Sequence, residues 1–268
     1  MYDLTFLIPT RIETEDRLRN IISSVSYLLR HIPAKVFVKE VSNHSTFKFR
    51  ALPEIKKYCD ISNLEYFYEE SQEPLFCKSK VLNDLIVASD TKVVANYDAD
   101  CILPIESYHQ AYNAIVDDKV DVVYPYGCGL YQWRTEYNPQ VYEQFINSLD
   151  VSVLDSHKVL HNSTIGWTQF VNRQKYIDSY MMNENFVSWG CEDDEFYYRM
   201  SILGNRIARI DNYVYHLEHS RTHNSWFSNP NFNNNYQLWN QIKTIDKKQL
   251  IQYYESLDYV KIRRSQLR

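Results

Sequence analysis

The sequence predicts an α/β fold built on a mostly parallel sheet with helical crossovers. Strands and helices alternate through the first hundred residues, and the apolar strands end in charged or polar loops. A length of 268 residues, 44% hydrophobic and 24% charged, suits one large globular domain with an appended subdomain. Leu4 to Ile8 reads as a buried strand broken by Pro9. Glu15 to Leu29 follows as a helix, because Leu18, Ile21, Ile22, Val25, Leu28 and Leu29 recur at helical spacing. Ala34 to Ser42 and Leu64 to Glu70 read as strands, Lys78 to Ala88 as an amphipathic helix, and "TKVVANYDAD" as a strand ending in acid. In such sheets ligands bind beyond the carboxyl ends of the strands. That rule points to Pro9-Thr10-Arg11, the loop at Asn43 and Asp98 to Asp100.

Past residue 103 the alternation loosens. "VDVVYPYGCGL" reads as a strand and turn, "TIGWTQFVNRQKYIDSY" as a strand then a helix, and "NRIARIDNYVYHLEHS" as a strand pair with histidines at its end. Asn229 to Asn235 reads as an asparagine-rich loop, Gln249 to Leu257 as a last helix, and Lys261, Arg263, Arg264 and Arg268 form a basic tail.

A net charge of -5 and a pI near 5.9 exclude a general nucleic-acid binder, which neutralises phosphates with a basic surface. Five scattered cysteines with no CxxC pair support neither a disulfide framework nor a zinc knuckle. The chain opens on a strand rather than a cleavable leader, and no apolar run approaches the roughly 20 residues that span a bilayer. The expectation is a cytoplasmic protein with at most peripheral contact at the inner face of the cell membrane, through its basic tail. Only 5 glycines stand beside 23 tyrosines and 12 phenylalanines, an excess that serves as core or as platforms for flat ligands such as sugar rings.

Three constellations carry chemistry. In "NYDADCILP" the carboxylates of Asp98 and Asp100 end an apolar strand and can meet a divalent cation or ribose hydroxyls. In "YHLEHSRTHN", His216, His219 and His223 stand beside acids and an arginine, a setting for a metal ligand paired with Asp100. In "FCKSKVLND", Lys78 and Lys80 open a helix, where cations are disfavoured unless an anion docks there. Neither GxxxxGK[ST] nor GxGxxG occurs, which removes the commonest kinase and dinucleotide-binding readings. "FVSWGCEDDE" crowds Glu192, Asp193, Asp194 and Glu195 behind Trp189, either as solvated helix-start charges or as a base and ligand clamp.

Taken in order, "LIPTR", "FCKSKVLND", "NYDADCILP", "FVSWGCEDDE" and "EHSR" resemble the motifs of GT-A fold glycosyltransferases, specifically family 2 bacterial enzymes and family 7 galactosyltransferases with their WGxEDD segment. The likeness covers Leu4 to Arg221. It implies a Rossmann-like nucleotide-diphospho-sugar transferase fold with a mixed central sheet flanked by helices. Residues 1–225 would form the transferase domain, with 1–103 as nucleotide-sugar half and 104–225 as acceptor half, and 226–268 a helical extension. Pro9, Thr10 and Arg11 match the nucleotide-contacting first loop, and Phe76 and Lys78 the segment near uracil and phosphates. Asp98 then faces the ribose, and Asp100 with His219 holds Mn²⁺ or Mg²⁺, His216 being the reserve choice. Trp189 matches the tryptophan of a mobile lid that touches donor and acceptor, Glu192 and Asp193 the acceptor pair, and Asp193 the catalytic base. Cys191 replaces a glycine of that lid.

The implied reaction is inverting transfer of galactose, N-acetylgalactosamine, glucose or N-acetylglucosamine from a UDP-sugar to an oligosaccharide or lipid-linked glycan, in bacterial polysaccharide or glycoconjugate synthesis. Glu192 and Asp194 are expected to raise the Asp193 pKa by like-charge repulsion. Two other readings compete. A sugar-1-phosphate nucleotidyltransferase needs a glycine-rich first loop, which "PTRIETED" lacks; a non-catalytic carbohydrate- or nucleotide-binding protein has no use for intact Asp98, Asp100, Asp193 and His219.

Overall fold

A computed structural model describes residues 2–161 and 165–267. The strands are β1 (Leu4–Thr10), β2 (Lys35–Ser42), β3 (Leu64–Glu70), β4 (Val93–Tyr97), β5 (Cys101–Ile102), β6 (Val122–Tyr124), β7 (Gln132–Thr135), β8 (Lys158–Leu160), β9 (Thr168–Asn172), β10 (Ile207–Arg209) and β11 (Val214–Leu217). The helices are α1 (Glu15–His31), α2 (Leu52–Ile55), α3 (Lys78–Ala88), α4 (Ile105–Val116), α5 (Pro139–Ser148), α6 (Arg173–Asp178), α7 (Glu192–Leu203), α8 (Phe232–Ile242), α9 (Lys247–Ser256) and α10 (Asp258–Gln266).

Seven strands make a central sheet in the order β10-β6-β9-β4-β1-β2-β3, parallel except for β9, which runs antiparallel to both β4 and β6. A smaller sheet in the order β5-β11-β7-β8 stands beside it. The core follows from the alternation of apolar side chains: Phe6 of β1 is fully buried and meets Tyr97, Tyr108 and Phe170 edge-on at 5.5, 5.9 and 5.8 Å. Truncating such a residue costs about 3–5 kcal/mol.

The sheet and its flanking helices match the expected class, while several local expectations change. Pro9 does not end β1, which runs to Thr10. Pairing with β4 stops at Leu7 whereas pairing with β2 continues through Thr10, so the missing N–H of Pro9 falls where one ladder has ended. β10 and β11 are not a pair: the first adds to β6 in the large sheet and the second joins β5 and β7 in the small one. The asparagine-rich stretch is not a loop throughout, since α8 begins at Phe232.

The basic tail is helical and mostly paired within the chain. Arg263 is buried against Asp84 (2.5 Å) and Glu184 (2.7 Å), Arg264 meets Glu255 at 2.7 Å, and Lys261 meets Asp258 at 3.2 Å. The expected membrane contact therefore has few free cations to draw on; Arg268 lies outside the described residues. Helices α8 to α10 pack on α7 and α3 around a second apolar cluster that includes Tyr180, Phe186, Leu250 and Tyr254.

Candidate active site

Parallel strands deliver their carboxyl ends to one side of a sheet, and here β1 and β4 deliver Pro9 to Arg11 and Asp98 to Asp100 to one cleft of about 210 Å³. Antiparallel β9 starts at that same edge, so Gly166 and Trp167 stand beside the acids, with the Asp98 N–H donating to the Trp167 carbonyl at 2.9 Å. The residues that the resemblance assigns to donor, acceptor, base or metal line this cleft: Pro9, Thr10, Arg11, Phe76, Lys78, Asp98, Asp100, Trp189, Glu192, Asp193, His216 and His219. His223 does not; its Nε2 lies 2.9 Å from the Pro74 carbonyl, outside the cleft.

The small sheet makes the histidine cluster. His216 of β11 registers with Cys101 of β5, and the Leu217 N–H donates to the Asp100 carbonyl at 2.7 Å. That register brings His219 Nε2 to 3.0 Å and His216 Nε2 to 3.6 Å from the Asp100 carboxylate, with one donor atom of each group within 4.8 Å of the others. Two ligands on one cation at about 2.1 Å stand roughly 3.0–3.5 Å apart, so the spacing fits a shared metal ion. The hydrogen bonding fits too. His219 Nδ1 donates to the Ser220 carbonyl at 3.0 Å, which turns Nε2 toward Asp100, the orientation of a metal-ligating histidine held by its other ring nitrogen. Burial holds His216 near 4, against the pull of Asp100, so its ring is neutral at pH 7. Burial raises the Asp100 carboxyl, but His216 and His219 together keep it well below the usual range. Both histidines, not one, belong to the cluster.

Lys78 is the first residue of α3 and lies 2.8 Å from Asp98 and 3.8 Å from Asp193. Burial lowers its pKa, but Asp193, Asp98 and Glu192 outweigh that and hold it well above its ordinary value. Asp98 is pushed up to about 6 by burial, against the opposing pull of Lys78. Asp193, on the first turn of α7, is raised well above the usual carboxylate range, with burial as the first cause and the charges of Glu192, Asp98 and Asp194 behind it. The direction agrees with the expectation from sequence, while the leading cause is desolvation rather than like-charge repulsion. A buried polar chain orients this carboxylate: Gln169 donates to it at 3.4 Å, Asn96 donates to Gln169 at 3.1 Å, and Tyr176 bonds Asn96.

The four acids behind Trp189 have four different environments. Glu192 turns back and accepts the Gly190 N–H at 2.8 Å. Asp193 faces the cleft. Asp194 is exposed at the surface, with its carboxyl raised by desolvation against the pull of Lys243. Glu195 is not a solvated helix-start charge: it is fully buried, paired with Arg199 at 2.8 Å and bonded by the Tyr254 hydroxyl of α9.

The Trp189 loop is built from backbone few residues adopt, with Ser188 at φ 62°, Gly190 at φ 125° and Cys191 at φ 66°. A Cβ at 190 would also meet the Phe232 ring at 2.8 Å. Asparagine amides grip this loop: Asn229 and Asn235 donate to the Trp189 carbonyl at 2.7 and 3.3 Å, and Asn231 and Asn235 both donate to the Val187 carbonyl at 3.0 Å. Asn224 adds a brace, accepting from the Phe76 N–H at 2.9 Å and the Ser188 hydroxyl at 3.1 Å. Arg11 also acts between loops, donating to the carbonyls of Val41, Glu73 and Pro74. Sequence reasoning missed Arg17, Gly166, Trp167 and Arg221, which line the same cleft.

Residues 151–220 match the family described as the N-terminal domain of galactosyltransferase, over the stretch that holds Trp189, Asp193, His216 and His219. In three dimensions the chain is similar to GalNAc-T7 with UDP, GalNAc and Mn²⁺, at a TM-score of 0.57 and 14% identity over 81% of this chain and 43% of that one. It is also similar to S. aureus TarS 1-349 with UDP-GlcNAc, at a TM-score of 0.60 and 17% identity over 95% and 71%. The chain has the GT-A glycosyltransferase fold. A third GT-A relative, the mannosyltransferase PcManGT from Pyrobaculum calidifontis with GDP-Man and Mn²⁺, aligns at a TM-score of 0.51 and 15% identity over 81% and 56%. The chain thus spans less than half of GalNAc-T7 and about 71% of the TarS fragment. No curated protein matches it in sequence.

Proposed function

We propose that this GT-A protein is a metal-dependent inverting glycosyltransferase that moves a hexose or N-acetylhexosamine from a UDP-sugar to a glycan hydroxyl. The observation that carries the reading is the placement of a partly buried carboxylate of raised pKa, Asp193, in the same cleft as the Asp100–His216–His219 cluster. A lone metal cluster would serve many proteins, and so would a lone buried acid. Together at the carboxyl edge of β1 and β4 they suit group transfer from a diphosphate donor.

The residues divide the work. Pro9 to Arg11 and Phe76 form the wall for the nucleotide, with the Arg11 guanidinium 5.5 Å from the Phe76 ring. Lys78, Arg17 and Arg221 place positive charge along the diphosphate path, and Asp98 meets the ribose. Asp100, His216 and His219 would hold a divalent cation, whose charge offsets that gathering on the departing diphosphate. Two imidazole nitrogens beside one carboxylate suit Mn²⁺ better than Mg²⁺.

Asp193 accepts the proton of the acceptor hydroxyl as that oxygen bonds to the anomeric carbon; the bond from carbon to diphosphate oxygen breaks, and UDP leaves from the opposite face. Gln169 keeps the Asp193 carboxylate pointed at the hydroxyl. Trp189 closes the site against water that would hydrolyse the donor. The site suits a glycan acceptor, free or lipid-linked, of a bacterial polysaccharide or glycoconjugate. UDP release from a panel of UDP-sugars with Mn²⁺, by native protein and by Asp193→Asn, tests the reading.

A further inference from the structure

Residues 222–236 read THNSWFSNPNFNNNY, with aromatic and asparagine side chains and without Leu, Ile, Val, Met, Lys, Arg, Asp or Glu. Asn224 and Ser225, near the start of this segment, line the cleft, so its remaining residues begin at the mouth of the site. There an aromatic ridge continues outward from Trp189. The Trp189 ring stacks on Phe232 at 5.6 Å, takes Phe227 edge-on at 5.2 Å and lies 6.1 Å from Trp226, and Phe232 stacks in turn on Tyr236 at 6.1 Å. Three of these rings face water: Trp226 is 46% exposed, Phe227 61% and Tyr236 49%. Contiguous aromatic surface of this kind is disfavoured in water and marks a contact face.

Two further observations make the ridge a built feature rather than a loose loop. Trp226 sits at φ 89°, a backbone that a bulky side chain adopts only when its surroundings impose it. The Arg221 guanidinium, itself part of the cleft lining, lies 5.2 Å from the Trp226 ring and brings N–H donors to the edge of the platform.

We propose that this ridge binds sugar units of the acceptor beyond the one whose hydroxyl reacts, so that the acceptor is an oligosaccharide rather than a monosaccharide. The inference rests on the transferase reading proposed for the cleft. Pyranose rings present flat C–H faces and a rim of hydroxyls, and rings interleaved with amides answer both. A bilayer or isoprenoid chain would call for aliphatic side chains and clustered cations; the segment has no Leu, Ile, Val, Met or Lys, and a single arginine, Arg221, precedes it. Continuity with the cleft through Trp189 gives the direction in which the glycan leaves the site.

The test uses the full chain with UDP and Mn²⁺, comparing native protein with the Trp226→Ala/Phe227→Ala double variant, whose changes lie outside the catalytic cleft. A glycan array selects an oligosaccharide, and calorimetry compares it with its terminal monosaccharide. The oligosaccharide should bind at least about tenfold more tightly than the monosaccharide, and the double variant should lose about tenfold while holding UDP as the native protein does. Equal oligosaccharide affinity in both proteins overturns the proposal, as does native protein that binds UDP yet retains no glycan longer than a monosaccharide. Flotation with phosphatidylethanolamine–phosphatidylglycerol vesicles that depends on Trp226 and Phe227 overturns it in favour of lipid. Loss of UDP binding by the native protein removes the transferase reading itself.

Discussion

A Cβ added at Gly166 would fall 2.0 Å from Oδ2 of Asp193. The glycine is thus the floor against which this carboxylate rests, and the atom it would strike is the end of a side chain rather than backbone. Gly166→Ala should therefore fold and displace the base. We expect transfer to fall by about 100-fold, the scale of a misplacement of about 1 Å, with little change in melting temperature. Kinetics alongside a thermal melt check this; normal turnover would free Asp193 from any positional demand.

Asp193→Asn should abolish transfer while leaving UDP and Mn²⁺ binding intact. It should also stabilise the protein, with a pH dependence of defined sign. The Asp193 carboxyl is raised in the folded state, mainly by burial. The folded chain therefore holds this proton where the unfolded chain, with a pKa near 3.9, has released it. Its contribution is favourable below the unfolded pKa and is lost as pH rises through the folded one. Melting temperatures of native and variant should converge near pH 4 and separate toward pH 8, the variant higher. The acid limb of the native activity profile should likewise lie above the usual carboxylate range.

Metal binding should need both histidines. His216→Ala and His219→Ala are each expected to weaken Mn²⁺ binding by at least about tenfold, read by calorimetry or by Mn²⁺ paramagnetic resonance without donor present. Mn²⁺ at about 100 times its Kd should raise the native melting temperature by about 5 °C, and should not do so in the double histidine variant. An unchanged Mn²⁺ titration in His216→Ala would leave Asp100 and His219 as the ligands.

The asparagine grip on the Trp189 loop predicts a change in partition rather than a simple loss. Asn235 bonds the main chain of Val187 and Trp189 and is buried. Asn235→Ala should loosen that loop and admit water, raising the ratio of donor hydrolysis to transfer several-fold. An unaltered ratio would show that the loop closes without this brace.

The residues that line the cleft were legible because charged and polar side chains end apolar strands, a pattern that local sequence displays. Asp98 and Asp100 carry that signal, and Lys78 carries a second one, a cation at the start of a helix. What escaped depends on partners distant in sequence. Asn229, Asn231 and Asn235 look like loop composition until their amides are seen to meet the backbone of residues 187–189. Glu195 looks like a helix-start charge until Arg199 and Tyr254 close around it, an arrangement whose loss of one partner costs about 3–5 kcal/mol. Asn96 and Gln169 did leave a trace, as polar residues inside buried strands, and such residues are worth following to whatever they bond. Pro9 misled because proline is read as a strand breaker, although a strand whose pairing has ended on one side tolerates it.

The central claim is that one cleft binds a UDP-sugar with a divalent cation and uses Asp193 as the base. Its most direct measurement is UDP release from a panel of UDP-sugars with Mn²⁺, paired with calorimetric UDP binding, for native protein and Asp193→Asn. The expected result is release from at least one UDP-sugar by the native protein, loss of that release in Asp193→Asn, and equal UDP affinity in both. Native protein that neither releases UDP from any donor nor binds it, or a variant with near-native turnover, would contradict it.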